Sequence, residues 1–243
     1  MLWFSYNLRR MPLSNGEALE KKEVLLLRII LVRHGQTDWN DGGSAGQHFR
    51  GRIDIALNVT GRAQAQAVAD CLALVDVHTI YTSPLERAVD TARPIARRHQ
   101  LSVVPLPALL DIDYGQWGGR SHREVKAQWP DLYEQWMAMP HLVQIPGGES
   151  LDTVRKRVEG GLQTLAERHD GQIIVLVGHQ VVNKVMVCKL LGLDNSAFWR
   201  IRQDNGCINR FDYDGQTATA LTINEICHLP THPQPLDELP IPD

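Results

Sequence analysis

Three stretches of this 243-residue chain place basic side chains directly after aliphatic runs. Arg33-His34 follows Val24–Val32, Ser83 and Arg87 follow Val77–Tyr81, and Gly178-His179 closes Ile173–Val177. Short aliphatic runs of this kind read as strands covered on both faces. In open α/β sheets, ligands sit beyond the carboxyl ends of the strands, so histidines and arginines gathered there would form a compact cationic pocket. The guanidinium fork matches a phosphate and cannot be neutralised, which makes a phosphate group the expected ligand. Arg87 adds a separate argument. Ser83-Pro84 reads as an N-cap with proline at the first helical position. That puts Arg87 in the first helical turn, where the helix dipole disfavours a cation by a few tenths to ~1 kcal/mol. An anion sharing the site would offset that cost. Two histidines can also ligate a metal, but such a site wants carboxylates or further histidines beside them, and adjacent arginines repel a cation. No metal and no cofactor are expected there.

The elements that must position these residues are legible from periodicity. Thr60 opens a helical pattern with Ala63, Ala67, Val68, Cys71 and Leu72 on one face. The helix after Ser83-Pro84 is expected to kink or break near Pro94. Ser102–Leu106 reads as another strand. Ser121-x-x-Glu124 is a capping box, and Pro130 and Pro140 bracket a short helix. Pro146-Gly147-Gly148-Glu149-Ser150 reads as a turn plus N-cap, before a long helix faced by Leu151, Val154, Val158, Leu162 and Leu165. A further helix spans roughly Val181–Leu191, and Cys207–Tyr213 with Thr217–Asn224 form a hairpin across Asp214-Gly215. Strands alternating with helices predict an α/β protein, a three-layer αβα sandwich with a mostly parallel central sheet. The expected layout is one domain over residues 24–228, a flexible extension over 1–23 and a Pro-rich tail over 229–243.

The block Arg33-His34-Gly35-Gln36-Thr37-Asp38-Trp39-Asn40 resembles the R-H-G-x-T-x-x-N signature of the histidine phosphatase superfamily, the phosphoglycerate mutase-like family. Arg50–Gly61 looks like the family's segment before its first helix, Ser83-Pro84-Leu85-Glu86-Arg87-Ala88 matches S-P-L-x-R-A, Gly147-Gly148-Glu149-Ser150 matches its G-G-E-S turn, and Gly178-His179 matches its second histidine. The blocks occur in family order over roughly residues 28–228. The resemblance implies a phosphomonoesterase of the histidine acid phosphatase type in which His34 is the nucleophile and is transiently phosphorylated. It implies that Arg33, Arg87 and His179 bind the transferring phosphoryl group, and that Thr37 and Asn40 shape the phosphate loop. Positioning and charge stabilisation dominate such transfers, and the family needs no metal.

The chain departs from the family at the proton donor. In Leu109-Leu110-Asp111-Ile112-Asp113-Tyr114-Gly115-Gln116-Trp117-Gly118-Gly119, Asp111 falls where the family has glutamate, and Asp113 is the second candidate. Aspartate is one methylene shorter, about 1.5 Å, and a misplacement of ~1 Å can cost about 10²-fold in rate. A phosphate-binding or phosphoprotein-recognition module of little turnover is therefore one alternative. A phosphoglycerate mutase is the other, although residues 114–145, read as a lid, are dominated by aromatic and Met side chains rather than by the cations Arg120, Arg123 and Lys126. Partners are expected to be a small phosphomonoester and inorganic phosphate, as product and inhibitor, with oligomerisation left open. The formal net charge of -3 gives no global field for nucleic acid. No run is long enough to span a bilayer and no signal core is present, so the expectation is a cytoplasmic protein without a membrane partner. The widely spaced Cys71, Cys188, Cys207 and Cys227 read as free thiols without a metal-type cluster.

Overall fold

The computed structural model describes residues 26–40 and 48–229. The expected extension over 1–23, and all of the Pro-rich tail but Leu229, lie outside the described residues. Strand β1 (Leu27–Arg33) is buried along nearly its whole length. Its side chains alternate between two hydrophobic clusters. Leu27, Ile29 and Leu31 join one, and Ile30 and Val32 join the other. This alternation explains the unbroken aliphatic run, since a strand with core on both faces has no polar side to show.

The other strands are β2 (Thr79–Thr82), β3 (Val103–Pro105), β4 (Ile173–Gly178), β5 (Ile208–Tyr213) and β6 (Ala218–Glu225). They form one sheet in the order β3-β2-β4-β1-β5-β6. The first four are parallel, and β5 and β6 are antiparallel additions on the β1 side. The helices are α1 (Val59–Leu72), α2 (Glu86–His99), α3 (His122–Gln128), α4 (Pro130–Ala138), α5 (Leu151–Arg168) and α6 (Gln180–Leu190). Side chains of α1 and α2 pack on the Ile30/Val32 face, and those of α5 and α6 on the Ile29/Leu31 face. This is the expected three-layer α/β sandwich. No described helix is long and apolar enough to cross a membrane.

Local chemistry explains most boundaries. Asn58 caps α1 by accepting from the Gly61 N–H at 2.8 Å. The Ser121/Glu124 capping box forms at α3, and Ser150 caps α5. All five apolar residues read along α5 are buried, each worth ~1.5–3 kcal/mol relative to exposure. Two expectations need correction. Ser83 does not cap α2. Its N–H still bonds the Val177 carbonyl at 2.9 Å in the sheet ladder, so the helix opens two residues later, with Leu85 in the capping place. Nor does α2 break at Pro94. Thr91, Ala92, Ile95 and Ala96 on its buried face hold the helix through the missing N–H.

The 114–145 segment, read as a lid, packs several of its aromatic side chains against the core. Trp117 and Trp136 are buried in the core, while Trp129, Tyr133 and Met137 lie against it. Trp199 donates its indole N–H to the Trp136 carbonyl at 3.0 Å. At the other flank, α1 meets the loop after β1 backbone to backbone. A Cβ on Gly35 would lie 2.3 Å from the Gly61 carbonyl oxygen, and one on Gly61 would lie 2.0 Å from that of Gln36.

Candidate active site

Sheet order brings the polar residues together. Arg33 at the end of β1 is in register with Gly178 at the end of β4, and Thr82 of β2 pairs with Val177 on the other side. His34 and His179 therefore leave adjacent strands side by side, with ring centroids 5.1 Å apart. The His34 N–H bonds the Gly178 carbonyl at 3.0 Å, and the Gly35 N–H bonds Thr91 Oγ1 at 3.0 Å. Behind the loop, the Gly206 N–H reaches the Arg33 and His34 carbonyls at 3.1 and 3.3 Å, and Asn205 Nδ2 donates to the His34 carbonyl at 3.1 Å.

The two imidazoles are set in opposite tautomers by their partners. His34 Nδ1 lies 2.6 Å from the Gly35 carbonyl oxygen, which can only accept. The proton is on Nδ1, and Nε2 keeps a lone pair. His179 Nδ1 accepts from Arg87 Nε at 3.1 Å, so its proton is on Nε2. That atom is buried and has no partner among the described residues. Burial, and then the charge of Arg87, hold both imidazoles well below the usual histidine range. Near neutral pH both rings are uncharged, one presenting a lone pair and the other an N–H.

Around them lie buried guanidinium groups. Arg87, wholly buried, spends its donors on the Ile53 carbonyl (2.9 Å), the Gly51 carbonyl (2.7 Å) and Asp111 Oδ2 (3.5 Å), besides His179. Arg33 donates to the Gln203 carbonyl at 2.5 Å, and its Nε has no partner among the described residues. Sequence reasoning missed Arg50. It is pushed down to about 10 by burial and by Arg33, and it senses the charges of Asp111 and Arg87. Its signal lay in the Arg50-Gly51-Arg52 segment, where a basic side chain beside a glycine turn reads as solvated. Thr37 and Asn40 stand in the loop itself. The Thr37 N–H and hydroxyl both donate to Asn40 Oδ1, at 3.1 and 2.9 Å, closing the turn that follows Gly35.

The two aspartates separate clearly. Asp111 is buried at the pocket, where Oδ1 accepts from the Ile112 N–H at 3.0 Å and Oδ2 faces Arg87. Burial raises its carboxyl above the usual range, against the opposing pull of Arg87 and Arg50. Asp113 instead accepts from the Gly115 N–H at 2.9 Å and pairs with Arg52 at 3.5 Å, its side chain 42% exposed. Arg157 holds this segment in place by bonding the Ala108 carbonyl at 2.8 Å, the Asp111 carbonyl at 3.3 Å and the Glu149 carboxylate. Glu149, from the Gly-Gly-Glu-Ser turn, also accepts from the Asp113 N–H at 2.9 Å.

One prediction follows from Arg87. Replacing it by alanine leaves Asp111 and two backbone carbonyls without their donor. We expect kcat to fall ~10²–10³-fold, as when a preorganised donor is lost, and stability to fall by about 3–5 kcal/mol. Vanadate affinity and urea denaturation measure the two effects. Unchanged vanadate affinity would place the anion elsewhere.

The sequence profile described as "Histidine phosphatase superfamily (branch 1)" matches residues 29–226. Phosphoserine phosphatase 1 of Hydrogenobacter thermophilus is 36% identical over 204 residues, covering 84% of this chain and 95% of the relative. The crystal structure of the alpha-ribazole phosphatase from Shigella flexneri superposes with a TM-score of 0.73 at 31% identity, over 82% of this chain and 96% of that one. Bacillus stearothermophilus YhfR superposes with a TM-score of 0.78 at 25% identity, over 84% of this chain and 99% of that one.

Proposed function

The chain belongs to the histidine phosphatase superfamily (branch 1), and we propose that it hydrolyses small-molecule phosphomonoesters in two steps through His34. The observation that carries this reading is the His34 tautomer. Its Nδ1 proton is tied to the Gly35 carbonyl, so Nε2 faces the cationic pocket as a neutral nucleophile. In the first step Nε2 attacks phosphorus and the ester P–O bond breaks. The Asp111 carboxyl gives its proton to the leaving oxygen, and an alcohol departs. In the second step a water attacks the phosphohistidine and passes a proton to the Asp111 carboxylate. The N–P bond breaks and inorganic phosphate is released. Arg33, Arg87 and the His179 Nε2–H meet the charge on the equatorial oxygens, so no step is routed through a metal. Thr37 and Asn40 fix the loop.

The reading favours hydrolysis over transfer between sites of phosphoglycerate. Arg120, Arg123 and Lys126, the cations available for a second anionic group, are exposed. Arg120 also lies against the Trp129 ring, 5.5 Å from its centroid. Inorganic phosphate is expected to compete with substrate. A panel of phosphomonoesters containing phosphoserine, α-ribazole phosphate and 3-phosphoglycerate, ranked by kcat/KM, tests the reading. Isomerisation of 3-phosphoglycerate faster than any hydrolysis would overturn it.

A bell-shaped pH profile also follows. The nucleophile works only when His34 is neutral, and burial holds its ionisation well below the usual histidine range. The proton donor works only while Asp111 is protonated, and burial raises that range. Activity should rise with pH through the His34 ionisation, below the usual histidine range, and fall as pH passes that of Asp111, above the usual carboxylate range. In Asp111→Asn the basic limb should disappear from the pH profile. A basic limb unchanged in that variant would assign it to another group.

A further inference from the structure

Among the described residues, one group of donor side chains takes no part in the chemistry above. Cys71 near the end of α1, Glu225 at the end of β6 and His228 just beyond it bring a thiol, a carboxylate and an imidazole nitrogen within 4.8 Å of one another. A second thiol, outside that group, adjoins its carboxylate, with Cys227 Sγ donating to Glu225 Oε1 at 3.5 Å. The cysteines are far apart in sequence, so the spacing predicted no metal-type cluster. The fold makes one by laying the end of β6 beside α1.

The histidine is already set up as a ligand. His228 Nε2 lies 3.0 Å from the Gly206 carbonyl, so its proton is there and Nδ1 keeps the lone pair. Nδ1 is buried and has no partner among the described residues. Metal-ligating histidines almost always donate their other ring N–H to a carbonyl or carboxylate in this way. Glu225 is oriented too, because its Oε2 pairs with Arg210 and Oε1 turns toward the thiols. Arg210 NH2 lies 4.0 Å from Cys71 Sγ. The charges balance around a divalent ion. Two thiolates and one carboxylate offset the ion together with the guanidinium, and no net charge is left at the site.

We propose that Cys71, Cys227, His228 and Glu225 bind one zinc ion, distinct from the phosphate pocket and structural in role. Two sulfurs, one imidazole nitrogen and one carboxylate oxygen are the donor types that a closed tetrahedral zinc site takes. The ion would join the segment after β6 to α1. It would also stiffen Gly206, whose N–H holds the carbonyls of Arg33 and His34.

Cobalt(II) titration of the reduced full-length chain tests this. We expect one equivalent to bind, with sulfur-to-cobalt charge-transfer absorption and tetrahedral d–d bands that zinc bleaches. Zinc should also raise the Tm. Affinity should fall at least ~100-fold in Cys71→Ser and in His228→Ala, beyond the 10–100-fold typical of lost outer-shell partners. It should be unchanged in Cys188→Ser and in His34→Ala, which separates this ion from one in the phosphate pocket. A titration of the folded wild-type chain without charge-transfer absorption overturns the proposal, whatever the fate of the variants. So does absorption that survives both Cys71→Ser and His228→Ala.

Discussion

His34→Ala is expected to hold no label when mixed with a labelled phosphomonoester and quenched rapidly without acid. The wild-type chain should hold label in an acid-labile, base-stable linkage. Turnover of the variant should fall ~10⁴-fold or more, the scale on which a covalent nucleophile is lost. The fold should survive the change. The His34 ring bonds only the carbonyl of the next residue, and its backbone is held independently by Gly178, Asn205 and Gly206. The guanidinium groups and His179 remain, so vanadate should still bind the variant. That combination, binding without chemistry, distinguishes a lost nucleophile from a collapsed pocket. Label on a serine or carboxylate, or label retained in His34→Ala, would remove the phosphohistidine from the mechanism.

Asp111→Asn is expected to slow hydrolysis of alkyl phosphates by ~10²–10⁴-fold, the usual contribution of a positioned general acid. Hydrolysis of p-nitrophenyl phosphate should suffer far less, because p-nitrophenolate leaves without a proton. Geometry supports the choice of acid. Asp111 is buried between Arg87 and the Ile112 N–H, whereas the Asp113 carboxylate turns outward to Gly115 and Arg52. Asp113→Asn should therefore change both substrates little. The bound phosphate adds like charge beside Asp111, which makes its proton harder to lose. A rise in activity in Asp111→Glu would show that the shorter side chain limits the rate. Equal loss on both substrates in Asp111→Asn would take Asp111 out of the proton transfer.

The features legible in the sequence were those with a local physical cause. The aliphatic runs of β1 and β4 needed both faces buried, and α5 showed its core stripe at helical spacing. The Ser121/Glu124 box and the Asp214-Gly215 hairpin follow from side chains a few residues apart. That Arg33, His34, Arg87 and His179 would come together could be read because strand ends of a parallel sheet meet on one side. What was missed depends on contacts between distant parts of the chain. Ser83 looked like a cap, but its N–H was committed to Val177 across the sheet. Arg50 was read only as part of the Arg50–Gly61 segment, and the fold sets its charge near those of Arg33 and Asp111. Cys71 is more than a hundred residues from Glu225 and His228, and no spacing rule links them. In sequence Asp111 was the first candidate for the proton donor and Asp113, two positions on, the second. In the fold their surroundings differ completely.

The contact between Gly35 and Gly61 also limits how this sequence can change. Each position faces backbone atoms of the other segment at distances that no Cβ tolerates. A methyl group at either one must push the loop after β1 away from the start of α1, and no flexible side chain stands between them to yield. A second substitution cannot compensate, because the obstructing atoms belong to the main chain that every residue shares. Neither glycine can drift even to alanine, and a library randomised at these positions should return the parent residue at both. The register between loop and helix is thus inherited as a unit.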